Sequence, residues 1–282
     1  MLTVHNLQPH RRRRFTPAGF HRFWSSLTFR QADALIVHGG SLRTGLLAQH
    51  PVQPNRVHVI AHGVWRPDAP DADAMADPVP PPPAPTDHGG APVLLFYGTV
   101  RPNKGLHHLL DAFARAPAHW RLVVAGSPVG EEAYFNEQVL PRIERLRAAG
   151  RSVQAMFDYV PEGRVGALFE RATLLLLPYT DFAAQSGVLF DAIAYRVPVV
   201  CTPAGALGDT VGGLGLGSVA RSAEPDDLLA AIEAALARPR GQLLSALARA
   251  ADENSWQRAG EQTLALYRQL LDHGQPSPGQ SS

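Results

Sequence analysis

The stretch "PVLLFYGTVRPNKGLHHLLDAFARA", residues 92 to 116, decides the fold. It opens with the apolar run Val93 to Tyr97, which is strand-sized and predicts a strand covered on both faces. From about Gly105 the apolar residues recur at helical spacing. Between the two lies "GTVRPNKG", which sets Gly98, Arg101, Lys104 and Gly105 at a strand-to-helix junction. The alternation continues along the chain. Arg121 to Ala125 precedes a helix near Glu131 to Ala149, and Gln154 to Phe157 precedes one near Gly163 to Arg171. Leu174 to Leu177 precedes a helix from about Ser186 to Tyr195, and Val197 to Cys201 follows. Short strands separated by helices predict a doubly wound parallel sheet with helices on both faces.

The N-terminal part is sparser. Leu2 to His5, Ala34 to His38 and Val57 to His62 read as strands, with helical patterning over Phe20 to Arg30 and Ser41 to His50. "VPPPPAPTDHGG", Val79 to Gly90, is rich in proline and glycine and reads as a linker. Near the end, Ser255 to Leu271 is an amphipathic helix with Ser255 as its N-cap, and "HGQPSPGQSS" is predicted to be disordered. The predicted organisation is an N-terminal domain over 1–78, a linker over 79–91 and a second domain over 92–250. A C-terminal helix covers 251–272 and a tail 273–282.

Composition narrows the function. A chain of 282 residues with 45% hydrophobic content is not disordered throughout. A formal net charge of +1 removes non-specific nucleic-acid binding as its main purpose. The single cysteine, Cys201, cannot form an internal disulfide, suits a reducing compartment and reads as a small buried residue at a strand end. No apolar run reaches the roughly 18 residues that span a bilayer. The basic start "MLTVHNLQPHRRRRF" has no apolar segment after it, so no export signal is predicted and the expected compartment is the cytoplasm.

In a sheet of this kind ligands bind beyond the carboxyl ends of the strands. Glycines there let a ligand approach the backbone, a helix start contributes roughly half a positive charge, and Arg101 and Lys104 add two full ones. The junction after Tyr97 therefore predicts an anion site. It is not an ATPase phosphate loop, because Lys104 precedes Gly105 and no Ser or Thr follows, and no Gly-x-Gly-x-x-Gly opens either half.

A longer stretch sharpens this reading: "YVPEGRVGALFERATLLLLPYTDFAAQSGVLFDAIAYRVPVVCTPAGALGDTV", Tyr159 to Val211. With "LLFYGTVRPNKGLHHLLDAFA" and "LVVAG" it resembles the donor-binding domain of retaining nucleotide-sugar glycosyltransferases of family 4, over nearly all of Val93 to Leu236. The resemblance implies a GT-B fold of two Rossmann-like α/β domains with parallel sheets, the N-terminal one, over 1–78, incomplete and the C-terminal helix over 251–272 packing back on it. It implies transfer of a hexosyl group from a UDP- or GDP-sugar to a glycan or glycolipid acceptor in cell-wall or exopolysaccharide synthesis. In that family the Arg and Lys of the first loop contact the donor diphosphate, which implies this role for Arg101 and Lys104. Gly98 and the amides of Ser186, Gly187, Val188 and Leu189 would face the phosphates, and Tyr159 and Val160 would hold the nucleobase through their backbone. The family commonly carries two glutamates spaced as Ala183 and Asp191 are; here Asp191 would hold the ribose, while Ala183 cannot hold a sugar hydroxyl. That contact is then missing or comes from Asp181, Gln185 or a backbone group.

No cofactor is expected beyond the donor, and no metal, since two fixed cations can replace Mg2+ and no Asp-x-Asp stands at a strand end. Asp71 and Asp73 have that spacing but lie in a Pro- and Ala-rich stretch. "TVHNLQPH" is similar to the family's strand that ends in a histidine near the reacting sugar, which makes His5 the candidate on the acceptor side. Arg11, Arg12, Arg13 and Arg14 beside Phe15, Phe20, Phe23 and Trp24 have the composition of a segment that meets an anionic membrane face. The alternative reading is a catalytically inactive nucleotide-sugar-binding remnant, or a truncated fragment of such an enzyme.

Overall fold

The computed structural model describes residues 1–5, 18–64, 90–181 and 186–274. Arg11 to Arg14, Phe15, Asp71, Asp73, Ala183, Gln185 and nearly all of the 79–91 linker lie outside the described residues. The chain divides into two compact units, one holding Met1–Val64 and the segment from Glu253 on, the other holding the chain up to Phe182 and Ser186–Asp252.

The first unit carries β1 (Leu2–Val4), α1 (Ala18–Gln31), β2 (Leu35–Val37), α2 (Gly40–Gln49) and β3 (Val57–Val59). The strands form a parallel sheet in the order β1-β2-β3, with Thr3 opposite Ile36 and Ile36 opposite His58. Successive side chains leave opposite faces of a strand. Val4, Leu35, Val37 and Val57 accordingly form one apolar cluster with Phe29, Leu42 and Leu46 from the two helices.

The second unit begins with β4 (Val93–Tyr97), α3 (Leu106–Arg115) and β5 (Arg121–Ala125). There follow α4 (Glu132–Tyr134), a π-turn over Phe135–Val139, α5 (Leu140–Ala148), β6 (Ser152–Met156) and α6 (Glu162–Glu170). Then come β7 (Leu174–Leu177), α7 (Gly187–Ala194), β8 (Val199–Cys201), α8 (Ala206–Gly213), β9 (Gly217–Val219), α9 (Pro225–Ala237) and α10 (Arg240–Glu253). All six strands are parallel, in the order β6-β5-β4-β7-β8-β9. The winding starts at β4, runs outward to β6, then returns to β7 on the other side of β4. That reversal makes the gap between the carboxyl ends of β4 and β7 the switch point at which such sheets take ligands. Leu94, Phe96, Leu122, Val124, Leu174 and Leu176 meet Leu106, Leu109, Leu110 and Phe113 of α3 and Leu228 and Ile232 of α9 in the main core.

The chain closes with α11 (Trp256–Gly274), which belongs to the first unit. Its Leu266 joins Ala34, Ile36 and Ile60 on the face of the three-stranded sheet opposite α1 and α2, with Ala259 and Leu270 alongside. Ser255 caps this helix, its hydroxyl accepting a hydrogen bond from the Arg258 N–H at 3.3 Å.

Two elements differ from the sequence reading for identifiable reasons. The helix expected over Glu131 to Ala149 is interrupted by the π-turn, directly ahead of Pro141 in the first turn of α5. Proline has no N–H and its ring crowds the carbonyl four residues back, so the helix widens there. The strand expected from Val197 starts at Val199, because the Val197 N–H bonds the Ala192 carbonyl at 2.8 Å and Pro198 has no N–H for a ladder.

Candidate functional site

β4 ends at Tyr97 and delivers the chain into Gly98, whose φ of +117° is rarely open to a residue with a Cβ. The turn is held by Gly98 N–H to Ala125 carbonyl and Val100 N–H to Ser127 carbonyl, both 3.0 Å. Arg101 is extended and leads into a single 3-10 turn over Pro102–Lys104, after which Gly105 adopts φ +65° and α3 begins. Gly105 is required twice over. Besides its left-handed backbone, a Cβ there would stand 1.8 Å from the Pro178 carbonyl oxygen. The basic loop thus lies directly against the segment that leaves β7, and the Thr180 N–H bonds the Asn103 carbonyl at 3.0 Å.

That contact brings the predicted cations to the switch point. Lys104 places its Nζ 3.7 Å from the centroid of the Tyr179 ring. Burial, and then the nearby Arg101 guanidinium, push the Lys104 pKa down to about 8. Arg101 is half-buried, and its Nε is buried without a hydrogen-bond partner among the described residues. Buried polar groups in native proteins are nearly always satisfied, so an exception calls for an acceptor.

On the β7 side, Ser186 is buried and stands as N-cap of α7, but its hydroxyl does not cap the helix; it pairs with the Tyr179 hydroxyl at 3.3 Å. The expectation that four amides from Ser186 to Leu189 face the phosphates needs correction in one place. The Leu189 N–H bonds the Ser186 carbonyl at 3.1 Å, which commits it to the first turn of the helix. Gly187 and Val188 head the helix, and a Cβ on Gly98 would meet Val188 Cγ2 at 3.4 Å, so the two loops touch. Asp191 lies half-buried further along α7, and burial pushes its pKa up to about 6. Tyr97 is raised to about 12 by burial and then by the charge of Asp191, with Tyr159 a lesser influence. Tyr159 itself is 80% exposed in the loop after β6, with Val160 next to it.

Gly98, Arg101, Lys104, Ser186, Gly187, Val188 and Asp191 therefore belong to one strand-end cluster in the second unit. The sequence reading overlooked Tyr179, which is 1% exposed and touches both the basic loop and the α7 start. Its place beyond the all-leucine strand Leu174–Leu177 and Pro178 reads as core packing, and the need of a buried phenol for a hydroxyl partner was the one hint available. Among the described residues no group of three or more His, Cys, Asp or Glu is placed to ligate a metal ion.

His5 is in the first unit, at the carboxyl end of β1. Its ring lies 4.9 Å from that of His38, which lies 5.4 Å from His62, which in turn lies 5.2 Å from the Trp256 indole. His38 Nδ1 donates to the Ile60 carbonyl at 3.0 Å, and His62 Nδ1 to the Gly63 carbonyl at 2.9 Å. A carbonyl only accepts, so both rings carry a proton on Nδ1. Burial holds the His38 pKa below its usual value.

Comparison with known proteins places this arrangement. The chain is 27% identical to the alpha-maltose-1-phosphate synthase of Mycolicibacterium smegmatis, over 96% of its own length and 73% of the relative's. It superposes on Anabaena Alr3699/HepE, solved with UDP, with a TM-score of 0.75 at 18% identity, over 95% of this chain and 72% of that one. The sucrose-phosphate synthase of Thermosynechococcus elongatus gives 0.72 at 20% identity, over 97% and 68%. The fold is that of the GT-B glycosyltransferases. Residues 91–238, from just before β4 to just beyond α9, match the family described as Glycosyl transferases group 1, and the chain belongs to that family.

Proposed function

We propose that this glycosyltransferase moves a hexosyl group from a UDP- or GDP-sugar to a glycan or glycolipid acceptor, with retention at the anomeric carbon and without a metal. The observation that carries the proposal is the pair of half-buried cations, Arg101 and Lys104, held close enough at the switch point that one depresses the other's pKa. Two like charges in a partly desolvated site are costly to each other, and a diphosphate relieves that cost. The UDP bound in the Anabaena relative supports a nucleotide donor.

In this reading the bond from C1 of the sugar to the diphosphate oxygen breaks while the acceptor oxygen bonds C1, and the acceptor proton leaves to a diphosphate oxygen. Negative charge grows on the departing diphosphate, where Arg101 and Lys104 stabilise it more than in the ground state. Gly98 leaves the phosphates room, and the amides of Gly187 and Val188 add the positive end of α7. Asp191 accepts hydrogen bonds from the ribose, and the backbone of Tyr159 and Val160 borders the base. His5 is assigned to the acceptor side. Phe23, Trp24 and Leu27 are exposed on α1, which supports peripheral contact of the first unit with an anionic membrane face through Arg11 to Arg14.

The test is transfer and donor hydrolysis with UDP- and GDP-sugars. Removing one such electrostatic donor costs about 10²- to 10³-fold in rate, so Lys104→Ala should lose that much with an unchanged melting curve. Near-normal transfer by Lys104→Ala would overturn the assignment. Nucleotide binding without hydrolysis or transfer by the unaltered chain would identify a binding protein instead.

A further inference from the structure

Tyr179 joins the two halves of the strand-end cluster. Pro178, Tyr179 and Thr180 run along the basic loop: the Pro178 carbonyl abuts Gly105, and the Thr180 N–H holds the Asn103 carbonyl. From the middle of this run the Tyr179 ring presents its face to the Lys104 ammonium, 3.7 Å from the centroid. The same side chain ends in a hydroxyl 3.3 Å from Ser186 Oγ at the start of α7. Its backbone is fixed as well, since the Thr202 hydroxyl beyond β8 donates to the Tyr179 carbonyl. The ring is fully buried, so it touches no ligand.

The chemistry of a phenol suits this place and that of its usual substitutes does not. The negative face of the ring attracts a cation, which fixes an otherwise flexible four-carbon side chain in one position. The hydroxyl satisfies a buried serine that would otherwise need another partner. Phenylalanine supplies only the first function, and leucine supplies neither.

We propose that Tyr179 is a positioning residue for the donor diphosphate: its ring holds Lys104 and its hydroxyl holds Ser186, so a single side chain sets the spacing between the cationic loop and the α7 start. The proposal rests on the donor-site reading given above and deepens it. An anion that spans the two elements is gripped only when both are in register, which makes Tyr179 a determinant of nucleotide affinity without contact to the nucleotide.

The test is a set of double-mutant cycles read by calorimetry with UDP and with GDP on the full chain. Tyr179→Leu should weaken binding roughly tenfold, as expected for loss of a desolvated cation–ring contact. In the Lys104→Ala background the same change should lose only the smaller share that runs through Ser186, because the ring acts through Lys104. Tyr179→Phe should preserve the Lys104 share, so that Lys104→Ala costs as much there as in the unaltered chain. It should lose the Ser186 share, so that Ser186→Ala adds nothing to it. Effects of Tyr179 that are equal with and without Lys104 and Ser186 would mean a purely structural role and overturn the inference, leaving the donor site intact. If Tyr179→Leu does not fold, the Tyr179→Phe and Ser186→Ala cycle decides alone. An unaltered chain that binds neither nucleotide overturns the donor-site reading and this inference with it.

Discussion

Lys104 and Asp191 titrate on either side of neutrality, and the direction of each shift fixes a pH profile. In the proposed donor site a diphosphate needs Lys104 charged, and above about pH 8 the half-buried ammonium loses its proton. A ribose hydroxyl needs the Asp191 carboxylate as acceptor, and below about pH 6 that carboxylate is protonated. Affinity for a UDP-sugar, whose diphosphate has no proton that titrates in this range, should therefore be highest between these limits and fall on both sides. Calorimetry from about pH 5 to about pH 9.5, roughly one to two units beyond each group, checks it. Lys104→Arg should abolish the alkaline fall, because a guanidinium stays charged, and Asp191→Asn the acid one. An alkaline fall that survives Lys104→Arg would assign it to another group. At this scale the placement of Arg101 and Lys104 at a strand end was legible, because the loop that carries them lies between an apolar run and a helical pattern. Tyr179 was not, because a tyrosine after four leucines reads as core packing until its neighbours in space are known.

Elements were legible where the sheet is buried on both faces. β4, β5 and β7 have the predicted bounds because every residue along them except the exposed Arg121 is apolar or nearly so. The segment from α8 to α10 had no reading of its own. β9 is three residues long and begins at Gly217, where a Cβ would stand 1.8 Å from the Val199 carbonyl oxygen. So short a strand containing glycine has no period to detect; it exists because β8 offers an edge. α9 and α10 are alanine-rich, and small residues blur the contrast between buried and solvated faces. α1 has a different exposure. Phe23 is 64% exposed and Trp24 50%, a wide apolar surface for a helix end in water. Vesicles containing an anionic lipid should co-sediment the chain, and changing Arg11 to Arg14 to Gln together should abolish this. Co-sedimentation unaffected by those four changes would exclude the basic segment from membrane contact.

The molecule as a whole consists of one unit made from a nearly continuous stretch of chain and one assembled from its two ends. In the second kind, stability of the sheet depends on a helix remote in sequence. Leu266 is 5% exposed against Ile36 and Ile60, and Leu266→Ala should cost about 2–5 kcal/mol, the usual range for emptying a core leucine site. Amide hydrogen exchange should report the loss at Leu35 to Val37 while Val93 to Tyr97 keep their protection; equal loss in both strands would show that the two sheets unfold as one.

The same arrangement imposes a timetable on biosynthesis. A nascent chain emerging from the ribosome can complete the six-stranded sheet while β2 still has one bare face, because the helix that shields Ile36 is translated after β9. Strands made before the six-stranded sheet thus mature after it, and during that interval their uncovered aliphatic surface is what a chaperone would recognise.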